Sequence, residues 1–249
     1  MSLNVAEIRD FYATSLGIAS RRMVRRQLRI LWPDIFGMNL LGFGYATPYL
    51  RPFLREAERV CAVMPNRMGV VPWPGHAAGE QNLATVAWEN NIPFMDLSVN
   101  RILMVHGLES TENARQLLRE MWRVLSDDGR LIVVVPNRRS IWARADHTPF
   151  GHGHPYSMEQ LNRILRQSMF NPVHEHRALF FPPSRRRFWL TAAPAWERLG
   201  KRWLSPLGGV AIVEATKQIY GAEVSGKKQR RRTYARAPAG HVARGTIPG

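Results

Sequence analysis

The segment 114–136 constrains the fold more than any other part of the chain. Ala114, Leu117, Leu118, Met121, Trp122 and Leu125 recur at i, i+3, i+4, i+7, i+8 and i+11, which lays one apolar stripe along a helix. Ser126-Asp127-Asp128-Gly129 then turns the chain into Arg130-Leu131-Ile132-Val133-Val134-Val135-Pro136. That run is apolar without alternation, as expected of a strand covered on both faces. An amphipathic helix leading into such a strand is the repeating unit of a mostly parallel sheet flanked by helices.

The rest of the chain reads as further units of this kind. Val5, Ile8, Tyr12, Leu16, Met23, Val24, Leu28 and Leu31 follow a helical period over 4–31, with Gly17 as a break and Trp32-Pro33 as the end. A first strand is expected over about 38–41, then a turn at Gly42-Phe43-Gly44, then a helix over 47–58 with Pro48 in its first turn. Strands follow at 60–64, 83–88 and 101–105. The intervening 65–80 is rich in Pro and Gly and leaves room only for a short crossover helix or none. Ser157-Met158-Glu159-Gln160 is a capping box that opens a helix bearing Leu161, Ile164, Leu165 and Met169. The last strands are expected at 173–181 and 209–215, separated by an insertion, 184–208, rich in arginine and tryptophan.

Charge narrows the partners. Of the formal +16, the segment 223–249 carries seven lysines and arginines against Glu223, a net +6, so residues 1–222 keep +10. Nucleic acid, an acidic partner or an anionic membrane surface could exploit that field; a solvated basic surface is the plainer alternative. From about 222 the composition is that of a disordered tail. The single cysteine, Cys61, excludes an internal disulfide framework and reads as a small buried hydrophobe. The start of the chain lacks the layout of a signal peptide, and no stretch is long and apolar enough to span a membrane, so the expected location is cytoplasmic.

Three segments in order then form a pattern: Leu40-Leu41-Gly42-Phe43-Gly44-Tyr45-Ala46-Thr47; 92–109, with Ile92-Pro93-Phe94 and Val105-His106-Gly107-Leu108-Glu109; and the helix–turn–strand of 114–136. Over roughly residues 36–180 this pattern resembles a class I S-adenosylmethionine-dependent methyltransferase of the type-11 group. The resemblance implies a Rossmann-like α/β fold with a mostly parallel seven-stranded sheet, helices on both faces and an antiparallel last strand. With the helical period before it and the basic composition after it, the chain divides into a helical cap at 1–35, a methyltransferase-like domain at 36–222 and a basic tail at 223–249. The cofactor that the resemblance implies is S-adenosylmethionine. A dinucleotide oxidoreductase fits poorly, because Thr47 replaces the third glycine of that fingerprint and no acid lies about twenty residues on.

The same resemblance suggests where the donor would lie. Gly42 and Gly44, with Leu41 and Tyr45, would let the backbone approach its amino acid end; the alternative is a simple strand-to-helix turn. The family ends strand 2 with an acid that holds the ribose, whereas this chain has Val63-Met64-Pro65-Asn66-Arg67, leaving Asn66 as an uncharged acceptor. Trp88, Glu89 and Asn90 would meet the adenine, or form plain surface. His106 would emerge beside the sulfonium and steer an acceptor or take its proton, or else simply pack beneath the cofactor.

The segment after strand 5, from Pro136 to Tyr156, is polar, aromatic and basic and suits a substrate wall. Its candidate substrate residues are Arg138, Arg139, Trp142, His152, His154 and Tyr156, and its arginines favour an anionic acceptor. The spacing of His147, His152 and His154, with no cysteine near, does not suggest a metal site. Two other functions remain open. One is a non-catalytic binding or regulatory protein on the same fold. The other is a basic nucleic-acid-binding module using Arg21–Arg29, Arg185–Arg187 and Lys227–Arg232.

Overall fold

A computed structural model describes residues 4–75 and 81–219. The basic tail expected at 223–249 lies outside the described residues. The strands are β1 (Asn39–Gly44), β2 (Arg59–Pro65), β3 (Ala84–Ala87), β4 (Val99–Val105), β5 (Leu125–Pro136), β6 (Phe170–Ala178) and β7 (Val210–Lys217). They form one seven-stranded sheet in the order β3-β2-β1-β4-β5-β7-β6. β1 to β5 run parallel, and β7 is antiparallel to both β5 and β6. This is the Rossmann-like methyltransferase topology expected, with its antiparallel last strand.

The helices are α1 (Val5–Ala13), α2 (Ser15–Leu31), α3 (Thr47–Leu50), α4 (Ala114–Val124), α5 (Met158–Gln167) and α6 (Arg187–Trp203). Strand alternation sends Leu40, Leu103 and Ile132 to one face of the sheet and Leu41, Ile102 and Leu131 to the other. The first face is covered by α1, α2 and the aromatic residues Trp142, Phe150 and Phe181. The second is covered by α4 and α5. On α4 the predicted stripe is fully buried at Leu117, Leu118 and Met121, each side chain contributing about 1.5–3 kcal/mol on removal from water.

Several boundaries differ from the expected ones for local reasons. The amino-terminal helix breaks at Thr14, not Gly17. Thr14 is extended and caps α2 by accepting the Gly17 amide at 3.1 Å, while Asn4 and Glu7 form a capping box at the start of α1. The expected helix over 47–58 ends as α3 and one 3-10 turn, Arg51–Phe53, because Pro52 has no amide to continue it. β1 runs on through both glycines, since Gly42 and Gly44 pair with Leu103 and Val105 of β4. The 126–129 turn is a bulge within β5, where the register to β4 jumps from Leu125 to Arg130. β6 begins at Phe170, directly after Met169 at φ 65° reverses the chain. Among the described residues of 66–83 there is no helix. Cys61 is half-buried on β2, and burial pushes its thiol pKa up. No helix among the described residues is long and apolar enough to cross a membrane.

Candidate functional site

The carboxyl ends of β1 and β4 meet at the point where the strand order reverses, the usual ligand crevice of an open α/β sheet. Gly44 ends β1 at φ +77°, and its amide neighbour Tyr45 donates to the Val105 carbonyl at 2.8 Å. A Cβ on Gly44 would collide with that carbonyl and stand 2.8 Å from the Gly107 nitrogen. One on Gly42 would stand 2.5 Å from the Leu50 side chain and 3.0 Å from the Ala46 Cβ. Gly44 is therefore required by the packing of the chain on itself, whether or not a ligand also uses the turn, whereas at Gly42 the Leu50 side chain would have to shift. Leu41 is buried in the second core face, so only its backbone could reach a ligand.

The crevice itself is filled by α1. Tyr12 stacks on Tyr45 with ring centroids 5.8 Å apart. Its hydroxyl lies 2.8 Å from the Tyr49 hydroxyl and 2.9 Å from His106 Nε2. On the far side of the imidazole, Nδ1 lies 3.1 Å from Glu109 Oε1. A carboxylate only accepts, so the pattern assigns the proton to Nδ1 and leaves Nε2 to accept from Tyr12, which in turn accepts from Tyr49. Burial, and then Tyr49, hold the Tyr12 pKa well above the ordinary phenol value, which keeps this donor protonated. His106 sits at φ 54°, a left-handed conformation at the end of β4. Phe150 closes its remaining side at 5.0 Å between centroids. The second carboxylate oxygen of Glu109 is buried without a hydrogen-bond partner.

Beside this plug, at the ends of β2 and β3, is a cavity of about 210 Å³. It brings together Asn66, Trp88, Glu89 and Asn90 with Arg67, Glu112, Asn113 and Gln116. Asn66 leaves β2 exposed, whereas Met64 is fully buried beneath the sheet. The turn 88–91 closes by the Asn91 amide donating to the Trp88 carbonyl at 3.1 Å, which leaves the Trp88 ring 63% exposed. Glu89 is held by the Thr111 hydroxyl, and Arg67 pairs with Glu112.

Arg138 and Arg139 line a larger, open cavity of about 510 Å³ with Ser157, Glu159, Gln160 and Arg163. The structure corrects the reading of Trp142 as a substrate contact: it is 0% exposed and donates its indole N–H to the Phe181 carbonyl at 2.7 Å. His152 Nε2 donates to the Asp146 carbonyl, and the His154 amide donates to the Glu109 carbonyl at 2.8 Å. Tyr156 is half-buried, its amide donating to the Pro136 carbonyl and its pKa raised by burial. These contacts strap 149–156 across the crevice. Sequence reasoning gave no site role to Tyr12 or Tyr49, and placed Glu109 and Phe150 only within the 105–109 and 136–156 segments, without an individual role. The Glu109 signal was present three residues after His106; the others come from distant segments.

Comparison with known proteins agrees with this architecture. Residues 41–133 match the family described as a methyltransferase domain. The chain is similar in fold to an S-adenosylmethionine-dependent methyltransferase from Thermotoga maritima, described as a possible histamine N-methyltransferase, with TM-score 0.60 and 18% identity over 86% of this chain and 96% of that one. A second such enzyme, from Mesorhizobium loti, aligns with TM-score 0.54 and 14% identity, covering 77% of this chain and 96% of the other. A third is the Burkholderia thailandensis 1,6-didemethyltoxoflavin-N1-methyltransferase, solved with bound 1,6-didemethyltoxoflavin and S-adenosylhomocysteine. It gives TM-score 0.50 and 14% identity, with 86% and 85% covered. No curated protein matches the sequence. The fold is that of the class I methyltransferases, and the family match falls on residues 41–133 within it.

Proposed function

We propose that the chain is an S-adenosylmethionine-dependent methyltransferase acting on an anionic acceptor, with a helical cap at 1–35, a catalytic domain at 36–222 carrying the 184–208 insertion, and a basic tail at 223–249. One observation supports this above all. Four residues expected at the nucleoside end of the donor, Asn66, Trp88, Glu89 and Asn90, line one cavity beside the switch point of a methyltransferase sheet. Their chemistry suits a nucleoside: an aromatic face, with amide and carboxylate oxygens that accept from hydroxyl and amino groups. At about 210 Å³ the cavity is smaller than the roughly 300–1,000 Å³ of pockets that enclose a whole ligand of this size. The amino acid end would lie along the Gly44–Tyr45 turn, which Tyr12 now covers by its stack on Tyr45.

Bound there, S-adenosylmethionine would supply an electrophilic methyl group. The chain's own residues position the acceptor, exclude water and manage its proton. With Tyr12 displaced, Nε2 of His106 faces the crevice with a free lone pair and takes the proton from the attacking group. Glu109, on Nδ1, holds the ring's orientation and stabilises the imidazolium. Phe11 and Phe150 wall the crevice against water. Arg138, Arg139 and Arg163 offer forked donors to an anionic acceptor. A cytoplasmic enzyme with an unreactive thiol is consistent with this scheme.

A second reading is a methyltransferase-fold protein that binds without transferring. The closed crevice, with the His106 lone pair engaged by Tyr12, and the neutral Asn66 at the end of β2 favour it. Calorimetric titration of the full chain with S-adenosylmethionine and S-adenosylhomocysteine separates the two. Micromolar binding that weakens at least about tenfold in Trp88→Ala supports the enzyme. No binding by a protein with an intact thermal transition transfers the assignment to the second reading.

A further inference from the structure

The connection from β6 to β7 carries α6, and its outward side is divided lengthwise. Phe188 and Trp203 are each 71% exposed and Leu199 is 50% exposed. Residues 188, 192, 195, 199 and 203 follow helical spacing, so these three side chains, with Ala192 and Ala195 between them, form one apolar strip about 22 Å long. Alongside it run Arg187, Arg198 and Arg202, all exposed and related by the same spacing, with Arg185 and Arg186 exposed just before the helix. The apolar strip continues past the helix end through exposed Leu204 and Leu207.

The inward side shows why this face is outward. Leu190 and Trp196 pack against the first core face, and α6 rests on α2 and β6. Glu197, the one acidic residue between 185 and 207, is buried and accepts the Leu179 amide at 2.6 Å. The exposed side of 185–207 therefore presents five arginines and no carboxylate. The neighbouring helix α2 adds exposed Arg22 and Arg26.

We propose that α6 is an interfacial helix that lies on an anionic lipid bilayer. Phe188, Leu199, Trp203, Leu204 and Leu207 enter the headgroup–acyl boundary, and Arg185, Arg186, Arg187, Arg198 and Arg202 pair with lipid phosphates. Exposed Phe, Trp and Leu beside a basic strip on one helix are the composition that this environment rewards. A single-stranded nucleic acid would use the arginines and aromatic rings, but it gives no role to Leu199, Leu204 and Leu207. The β6–β7 connection leaves the sheet at the carboxyl end of β6, the end that carries the candidate site.

The test is co-sedimentation of the full chain with vesicles of equal parts phosphatidylglycerol and phosphatidylcholine, against phosphatidylcholine alone. Binding to the anionic vesicles is expected, with partition falling at least about tenfold in Phe188→Glu/Trp203→Glu while the thermal midpoint stays unchanged. Because the basic tail alone could attract anions, the apolar substitutions decide the matter. Trp203→Phe should keep binding but lose part of the tryptophan quenching produced by brominated lipid. The proposal is overturned by undiminished binding of Phe188→Glu/Trp203→Glu, by absence of binding to either vesicle, or by a single-stranded RNA oligomer that displaces the protein from the anionic vesicles and binds equally well to Phe188→Glu/Trp203→Glu.

Discussion

The hydroxyl of Tyr12, on the first helix, lies 2.9 Å from Nε2 of His106 at the end of β4, across 94 residues of chain. This one hydrogen bond joins the amino-terminal cap to the switch point of the sheet and occupies the lone pair that proton transfer would need. With the Glu109 contact on Nδ1, it leaves no nitrogen of the imidazole free.

Removing the Tyr12 hydroxyl should separate its structural and functional parts. Tyr12→Phe strands the Tyr49 hydroxyl and His106 Nε2 and should cost about 1–2 kcal/mol by chemical denaturation. Tyr12→Ala should cost more, about 3–5 kcal/mol, because it also leaves a cavity among Tyr45, Tyr49 and Phe11. If Tyr12 covers the amino acid end of the donor, Tyr12→Ala will nevertheless bind S-adenosylhomocysteine more tightly than the parent. Equal or weaker binding would show that α1 contributes contacts to the ligand.

Gly44 and Gly37 share a left-handed backbone but differ in surroundings, which makes them a matched pair. Gly37, at φ +69°, has open space where a Cβ would stand, so Gly37→Ala should cost only about 1 kcal/mol. Gly44→Ala meets the Val105 carbonyl and the Gly107 backbone as well, and should cost more than about 3 kcal/mol or prevent folding. Thermal denaturation of the two variants checks the difference. A result in which both are equally mild would mean that β4 yields easily at Val105.

Much of this fold is readable along the chain because its signals are local. The stripe of α4, the apolar run of β5 and the Ser157–Gln160 capping box each lie within a dozen residues, and each forms as expected. The 184–208 insertion was assigned no element, yet it holds α6, which tolerates Pro194 in its interior while packing on α2 and β6. The cavity at Asn66, Trp88, Glu89 and Asn90 joins the ends of two adjacent parallel strands, so chain order suffices to bring those residues close. The Tyr12 plug depends on how a helix crosses the sheet edge, which no local pattern encodes. Trp142 was misjudged for the complementary reason. An aromatic residue in a polar segment looks like a binding residue until its indole is seen donating into the core.

Arg123 gives a prediction in pH. Its guanidinium donates to Glu120 at 2.8 Å, to the Phe94 and Ile92 carbonyls at 2.8 and 2.9 Å, and to Asp96 at 2.7 Å, pinning 92–96 to α4. The hydrogen bond from Arg123 holds the Glu120 pKa below the ordinary carboxylate range. The unfolded chain then binds the more protons, so this stabilisation is present above that range and is lost as pH falls through the lowered native value. Arg123→Met should cost about 1 kcal/mol near neutrality, allowing for solvent screening of the partly exposed pair, and should flatten the acid limb of stability against pH. An unchanged acid limb would assign the effect of Arg123 to its carbonyl contacts alone.

The sharpest prediction concerns Asn66. It stands exposed at the end of β2 in the cavity with Trp88, Glu89 and Asn90, where the methyltransferase pattern has an acid, while Met64 is buried and cannot serve. A carboxylate there would accept ribose hydroxyls through charge-assisted bonds, stronger than an amide oxygen's by about 1 kcal/mol. Against this, Glu89 and Glu112 line the same cavity and repel a new negative charge, though Arg67 offsets part of that. Asn66→Asp should therefore bind S-adenosylhomocysteine about threefold to tenfold more tightly, with little change in thermal midpoint because the side chain is exposed. The gain should shrink below pH 5 as the new carboxyl protonates. Titration calorimetry at two pH values measures both effects. Tighter binding with that pH dependence would place the ribose at Asn66. Unchanged affinity in a protein that binds the ligand would place the nucleoside elsewhere along the sheet edge and remove Asn66 from the site.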